Sequence, residues 1–338
     1  MSFSSIVRRI SDMIVRHPKG TGDFMLDTIS YFAKSTRVLG MPVNFTIEPT
    51  NMCNLRCPVC ETGNGTLGRP KQNMPLNDFI MIIDKVRSHA NSLILYFYGE
   101  PFLNKDIYDM IKYARKCGIF VSMCTNGEFV NAASLVETGL SEISFQIGGI
   151  TRETHQAYRV NADLEKCLSN LRELVKLRKQ KGAAKPKITL GFIIMKHNEN
   201  EVEGFKKLAE DIGVDGASII KPCVRTPEQA REMLPSGPEY WIYDKKALQE
   251  KGVLRPKMTG GDPCPWIYYS LTILVNGDVV PCCMDPRGRY VMGNLLSQEL
   301  PEIWNNREFQ EFRRGILKGR EKGRLCRLCP GYRPPALY

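Results

Sequence analysis

Residues Phe45 to Gly63 read FTIEPTNMCNLRCPVCETG, a short β-like run followed by Cys53, Cys57 and Cys60 at the spacing C-x3-C-x2-C. Thiolates select zinc, copper(I) or iron–sulfur clusters, and a [4Fe–4S] cube needs four ligands in all. Zinc usually takes paired C-x2-C elements, closed by a further Cys or His. Here the first downstream His is His89 and the next cysteine is Cys117. A structural zinc knuckle is the bland alternative. Three thiolates on one cube would leave a metal corner without a protein ligand, and an open corner is where chemistry can happen.

Around that stretch, from Val43 to about Lys221, six extended apolar runs alternate with helical patterns. Strands are expected at 43–48, 92–98, 119–124, 142–147, 187–195 and 215–220, and helices near 77–89, 105–117, 131–139, 163–180 and 201–212. Strands separated by helices imply a parallel sheet with right-handed crossovers. Ligand sites of such sheets gather at the C-terminal ends of the strands. On that rim fall the cysteine loop, the segment YFYGEP (Tyr96 to Pro101) and the turn CTNG (Cys124 to Gly127).

These motifs resemble the radical S-adenosylmethionine (radical SAM) superfamily over most of the chain. The resemblance implies an α/β fold built on a partial (β/α)6 TIM-like barrel. It implies a [4Fe–4S] cluster on Cys53, Cys57 and Cys60, whose fourth iron is chelated by SAM. Reduction then splits SAM into methionine and a 5′-deoxyadenosyl radical. Leu55 and Val59 would shield the cluster and touch the adenine. In YFYGEP, Tyr98 stands where the family has the first glycine of GGEP, and Tyr98, Gly99 and Glu100 would meet the SAM ammonium. Thr125 and Asn126 would lie near the SAM ribose. Gln146 replaces the family's usual carboxylate on the fourth strand. Arg159, ending HQAYR, would pair with the SAM carboxylate, and Asn198 would meet the adenosine. Lys196 and His197 fall near the substrate mouth.

A second constellation lies downstream. Cys264 and Cys282 are joined as C-x12-G-x4-C through SLTILVNGDVVPC, which reads as a hairpin turning at Asn276-Gly277. Cys326 and Cys329 form a C-x2-C beyond it, and metal chemistry alone leaves zinc and an iron–sulfur cluster both open for these four thiols. The arrangement, with GN…IW following, resembles the SPASM/twitch extension of radical SAM enzymes. That resemblance implies one fully ligated auxiliary [4Fe–4S] cluster on Cys264, Cys282, Cys326 and Cys329. Cys283 is an alternative to Cys282, and the glycine spacing favours Cys282. Cys117, Cys124, Cys167 and Cys223 read as core residues.

The domains expected are an N-terminal helical appendage (1–42), the barrel (43–221), a proline-rich linker or substrate-covering loop (222–262) and the small SPASM/twitch domain (263–338). Residues 3–16 have amphipathic spacing with Arg8, Arg9 and Arg16 on or near the polar side. Such a helix suits either packing on the barrel or an anionic membrane surface. A second helix is expected from Asp23 to Lys34, carrying Phe24, Met25, Ile29 and Phe32. In the linker, Arg225, Arg231, Glu232, Tyr240, Trp241 and Tyr243 are substrate-contact candidates.

Twelve cysteines without a signal peptide argue for a reducing compartment, and no apolar run is long enough to span a bilayer, so a cytoplasmic enzyme is expected. The net charge of +11 serves solubility, an anionic partner or an acidic electron donor of the flavodoxin or ferredoxin type. Nucleic acid is the weaker option. The expected activity is a net oxidation of a small-molecule, sugar or lipid-linked substrate. Peptide or protein maturation is the first alternative, and a non-catalytic iron–sulfur or zinc protein the second.

Overall fold

The computed structural model describes residues 18–257, 263–320 and 323–331. Six parallel strands follow one another in space as they do in sequence: β1 (Asn44–Ile47), β2 (Ser92–Ile94), β3 (Phe120–Thr125), β4 (Glu142–Ile147), β5 (Lys187–Ile193) and β6 (Gly216–Ile220). The helices that carry the chain back are α2 (Leu76–Val86), α3 (Ile107–Lys116), α4 (Ala132–Val136), α5 (Arg152–Tyr158) with α6 (Leu164–Gln180), and α7 (Val202–Ile212); α1 (Pro18–Phe32) precedes β1. Each crossover buries an apolar stripe against the sheet, as Phe79, Ile82, Ile83 and Val86 do on α2. This is the expected (β/α)6 order. Its sharpest match is β4, and the others agree to within a few residues except β2. That strand stops at Ile94, because the chain then bends across to bring Gly99 and Glu100 against the cysteine loop.

The C-terminal region is not a separate layer. After α8 (Pro227–Met233), α9 (Lys245–Lys251) and α10 (Trp266–Tyr269), strand β7 (Ser270–Ile273) pairs parallel with β1, with Asn44 opposite Ser270. The expected hairpin forms with β8 (Asp278–Val280), its turn carrying Gly277 at φ +83°. With β9 (Gly293–Asn294) it completes one nine-stranded sheet in the order β6-β5-β4-β3-β2-β1-β7-β8-β9. The final helices, α11 (Leu300–Trp304) and α12 (Arg307–Leu317), fold back on the approach to β1: Trp304 Nε1 donates to Gly40 O at 3.0 Å, and the Arg313 guanidinium stacks on the Trp304 ring.

Three expectations change. The linker is not an open loop: α8 and α9 close a second apolar cluster in which Trp241, Tyr243 and Leu234 pack on Val59 and Met195. The second N-terminal helix begins at Pro18 and is inside out. Gly20, Thr21, Asp23, Asp27 and Ser30 are buried, while Met25, Ile29 and Phe32 are exposed. Polar anchors hold it that way, among them Asp23 against His89 Nδ1 at 2.5 Å. Cys223 is exposed, and only Cys167 of the four expected core cysteines is fully buried. The expected helix at 3–16 lies outside the described residues. Among the described residues no helix is long and apolar enough to cross a membrane.

Candidate active site

The three cysteines hang on the loop that leaves β1. Glu48, at the end of that strand, is fully buried and accepts both ends of the Arg69 guanidinium, at 2.7 and 2.8 Å. Arg69 also donates to Pro286 O, and Glu48 accepts from Val275 N–H. The root of the cysteine loop is thereby tied to the C-terminal hairpin. Gly99 passes so close that a Cβ there would stand 2.2 Å from Thr50 O and 2.8 Å from Met52 O, and Glu100 N–H donates to Met52 O. The glycine is a steric requirement of the loop contact.

Cys53, Cys57 and Cys60 line one cavity of about 240 Å³ together with Leu55, Tyr98, Gly99, Glu100, Thr125, Asn126, Gln146 and Arg159. The sequence separates these residues by more than a hundred positions, and the parallel sheet gathers them on one rim. Burial pushes the Cys53 thiol up to about 12 and raises Cys57 as well. Such thiols become thiolates only against a bound cation, as metal ligands do. Among the described residues no group of three His, Cys, Asp or Glu side chains is placed to hold a single metal ion.

The polar residues of the cavity divide into two sets. Glu100 is committed to the rim: its carboxylate accepts from Thr125 Oγ1 at 2.7 Å, from Asn126 N–H at 2.8 Å and from Phe102 N–H. Its complete burial raises the carboxyl to about 7 against those hydrogen bonds. Asn126 Nδ2 donates in turn to Asn54, inside the cysteine loop, so the TNG turn braces the metal-ligand candidates. Gly127, at φ +85° beside Cys167 and Phe145, makes that turn. The second set is only partly committed, with Gln146 Nε2 donating to Ser144 Oγ at 2.7 Å. Gln146 Oε1 and Arg159 Nε are buried without a hydrogen-bond partner. An acceptor and a cationic donor left over in a cavity suit the hydroxyls and carboxylate of an amino-acid nucleoside. Gly191 makes room for the first: a Cβ there would stand 2.5 Å from both amide atoms of Gln146.

Other expected residues lie elsewhere. Asn198 is outside the cavity lining, its side chain consumed by Met195 N–H, Gly148 O and Ile193 O, so it clasps the ends of β4 and β5. Lys196 and His197 are exposed, and His197 meets Thr154 O. Val59 is covered by the linker cluster. Residues that sequence reasoning missed include Tyr158, beside Arg159 in HQAYR, and Cys124, both in the cavity wall. The alternation of β3 puts Cys124 on the same side as Ser122, which was a readable signal.

Over the cavity mouth the linker contributes Arg225. Its guanidinium donates to Tyr98 Oη at 2.9 Å and to Cys223 Sγ at 3.2 Å, and stands 3.9 Å from Glu61. Arg287 donates to the same Glu61 at 3.0 Å. Glu61 follows Cys60 directly, so one carboxylate joins cysteine loop, linker and C-terminal region. Beside it opens a second cavity of about 400 Å³ whose lining includes Arg225, Arg287, Arg289 and Arg327.

The four downstream cysteines lie close enough to influence one another's charge. Cys282 feels the charge of both Cys264 and Cys326, and Cys329 that of Cys264. Burial pushes Cys326 up to about 12 and raises the other three. Cys283 adjoins Cys282 and is half-buried.

Comparison with known proteins agrees with this layout. The radical SAM superfamily pattern matches residues 47–212, and the SPASM iron–sulfur cluster-binding domain matches residues 264–330. The chain is 24% identical to a tungsten-containing aldehyde ferredoxin oxidoreductase cofactor-modifying protein of Pyrococcus furiosus, over 79% of this chain and 82% of that one. It is 24% identical to an AdoMet-dependent heme synthase of Methanosarcina barkeri, over 86% and 90% of the two chains. Among solved structures, Streptococcus suis SuiB bound to its precursor peptide SuiA superposes with a TM-score of 0.63 at 13% identity, over 92% of this chain and 78% of that one. The chain therefore belongs to the radical SAM superfamily and carries a C-terminal SPASM domain, families whose cofactors are SAM and [4Fe–4S] clusters.

Proposed function

We propose that the chain is an oxidative radical SAM enzyme in which Cys53, Cys57 and Cys60 hold the SAM-binding cluster, and Cys264, Cys282, Cys326 and Cys329 hold the auxiliary one. The carrying observation is the 240 Å³ cavity, where three thiols, that of Cys57 buried and those of Cys53 and Cys60 half-buried, share a wall with the unpartnered Gln146 Oε1 and Arg159 Nε. When bound, the first cluster and SAM supply reductive cleavage to methionine and a 5′-deoxyadenosyl radical. The chain's own residues do the rest. Arg159 pairs with the SAM carboxylate, Gln146 accepts from a ribose hydroxyl, and Glu100 fixes the rim that receives the ammonium. The linker cluster covers Val59, next to Cys60, and would keep water from that side of the cysteine loop.

Held by Cys264, Cys282, Cys326 and Cys329, an auxiliary cluster would have no corner left for substrate and would supply electron acceptance or relay. A net oxidation follows, such as dehydrogenation or oxidative bond formation. The Arg225–Glu61–Arg287 bridge and the arginine-lined cavity beside it favour a substrate carrying an anionic group. A basic protein of net charge +11 also suits an acidic flavodoxin- or ferredoxin-type donor. Relatives described as cofactor-modifying and heme-forming support a small-molecule substrate, whereas the likeness to SuiB supports peptide maturation equally. Peptide-dependent SAM cleavage would separate the two.

Replacing Cys53, Cys57 or Cys60 by Ala is expected to abolish 5′-deoxyadenosine formation from SAM under dithionite, assayed by chromatography. Cys326→Ala is expected to spare uncoupled cleavage and lose product. Retained cleavage in the first set would refute the assignment. The reconstituted chain should hold about eight irons, as two cubes require.

A further inference from the structure

Four arginines and two acids line the 400 Å³ cavity beside Glu61, and both acids are already engaged. Asp285 is buried, and its carboxylate accepts from the backbone N–H groups of Arg289 at 3.0 Å and Tyr290 at 2.8 Å, so it shapes the turn after β8. Glu61 is shared between Arg225 and Arg287. Arg289 and Arg327, both exposed on the same lining, have no carboxylate partner among the described residues. The neutral side chains add to the excess of donors. Gln229 spends its amide oxygen on Arg225 N–H at 2.8 Å, which leaves its NH2 uncommitted, and Asn64 Oδ1 is taken by the N–H and hydroxyl of Thr66. Guanidinia gathered in one concavity repel one another until an anion joins them.

Number and origin of the arginines decide which anion. A carboxylate is planar, carries one charge and is satisfied by one bidentate guanidinium. A phosphate monoester is tetrahedral, carries close to two charges at neutral pH and offers three acceptor oxygens. The cations here come from three separate stretches: Arg225 ahead of α8, Arg287 and Arg289 between β8 and β9, and Arg327 between Cys326 and Cys329. Cations that arrive from several directions suit a tetrahedral group, and the two guanidinia without a carboxylate balance its charge. A concavity of about 400 Å³ takes a small molecule, whereas an acidic protein partner docks on a broad face.

We propose that this cavity is a subsite for the phosphate of a phosphorylated small-molecule substrate, in which Arg289 and Arg327 bind the phosphoryl oxygens while Arg225 and Arg287, fixed by Glu61, form the wall behind them. Its position joins it to the cysteine cavity. Tyr98 lines that cavity, and its hydroxyl accepts from Arg225 at 2.9 Å; Cys60 lines the first cavity and the next residue, Glu61, the second. The assignment rests on the cysteine cavity being the SAM site, because only then does the anchored molecule lie beside a source of radicals. The phosphate is a handle: no bond to phosphorus is made or broken.

Isothermal titration calorimetry of the reconstituted full chain at low salt tests this with inorganic phosphate, ribose 5-phosphate, succinate and a phosphoserine hexapeptide. Phosphate and ribose 5-phosphate are expected to saturate one site per chain, at least about tenfold tighter than the dicarboxylate succinate, and to weaken in about 0.5 M NaCl through screening. The double variant Arg289→Ala, Arg327→Ala should lose about tenfold in that affinity with iron content and melting temperature unchanged. Arg289→Lys, Arg327→Lys should recover part of it, since lysine keeps the charge but not the fork. No saturable phosphate binding below about 10 mM, equal binding of succinate, or wild-type affinity in the alanine variant would overturn the proposal. So would a phosphoserine peptide that binds about tenfold tighter than ribose 5-phosphate, which would give the site to a phosphorylated protein. Formation of 5′-deoxyadenosine separates this subsite from the catalytic reading: a chain that cleaves SAM but ignores phosphate refutes the subsite alone, and one that binds phosphate but never cleaves SAM refutes both the reading and the subsite's place in it.

Discussion

Glu100 shows how one residue serves both shape and chemistry. It is wholly buried and spends its acceptors on Thr125 and Asn126, so it carries the geometry of the second rim loop into the third. Its carboxyl is raised from 4.5 to about 7 by burial. A raised acid stabilises the fold below its unfolded value and loses that contribution as pH climbs through the folded one. The shift corresponds to about 3 kcal/mol lost between pH 4.5 and 8. The urea midpoint should fall with pH over that range, and more gently in Glu100→Gln. Gly191 gives a second residue-scale outcome. Gly191→Ala should push the Gln146 amide out of the cavity and weaken SAM binding about tenfold, roughly 1.4 kcal/mol, in equilibrium dialysis of folded protein. Both residues were open to different degrees in the sequence. Glu100 was recognisable from YFYGEP, whereas Gly191 matters only because β5 sets it beside Gln146 in register.

Elements were legible where local pattern and tertiary burial agree. β4 emerges at its expected bounds because EISFQI has no breaker and is flanked by turns. α1 turns its polar side inward, and the sequence did not say which side faces the protein, because Asp23 is anchored by His89, sixty-six residues away, and periodicity does not see a partner that distant. The linker was underread for another reason. Thr226 with Pro227 opens α8, and Asp244 caps α9, which ends on Gly252 at φ +63°. These start and stop signals were present, but the prolines that surround them favour loop. The consequence is testable. Trp241→Ala removes the indole that packs the linker and donates to Pro235 O. It should cost that element about 3–5 kcal/mol. Trypsin should then cut first near Lys245 and Lys246 while circular dichroism of the barrel is retained.

At the scale of the whole molecule, the six-unit barrel and both cysteine sets were readable from spacing. How the two parts join was not. Strand pairing between Asn44 and Ser270 bridges more than two hundred residues, and neither strand's own pattern names its neighbour. Gln146 and Arg159 were readable through their motifs, while Arg225 acquires its place only when the linker folds over Tyr98.

The insertion of β7 beside β1 has a practical outcome for anyone dissecting the protein. β1 is hydrogen-bonded along both sides, to β2 and to β7. A barrel fragment ending at residue 257 would strip one side bare and expose the unpaired amides and carbonyls of the strand that feeds the cysteine loop. Exposed strands of this kind recruit one another. Such a fragment should collect in inclusion bodies, and the appearance of soluble monomer by size exclusion would contradict the prediction.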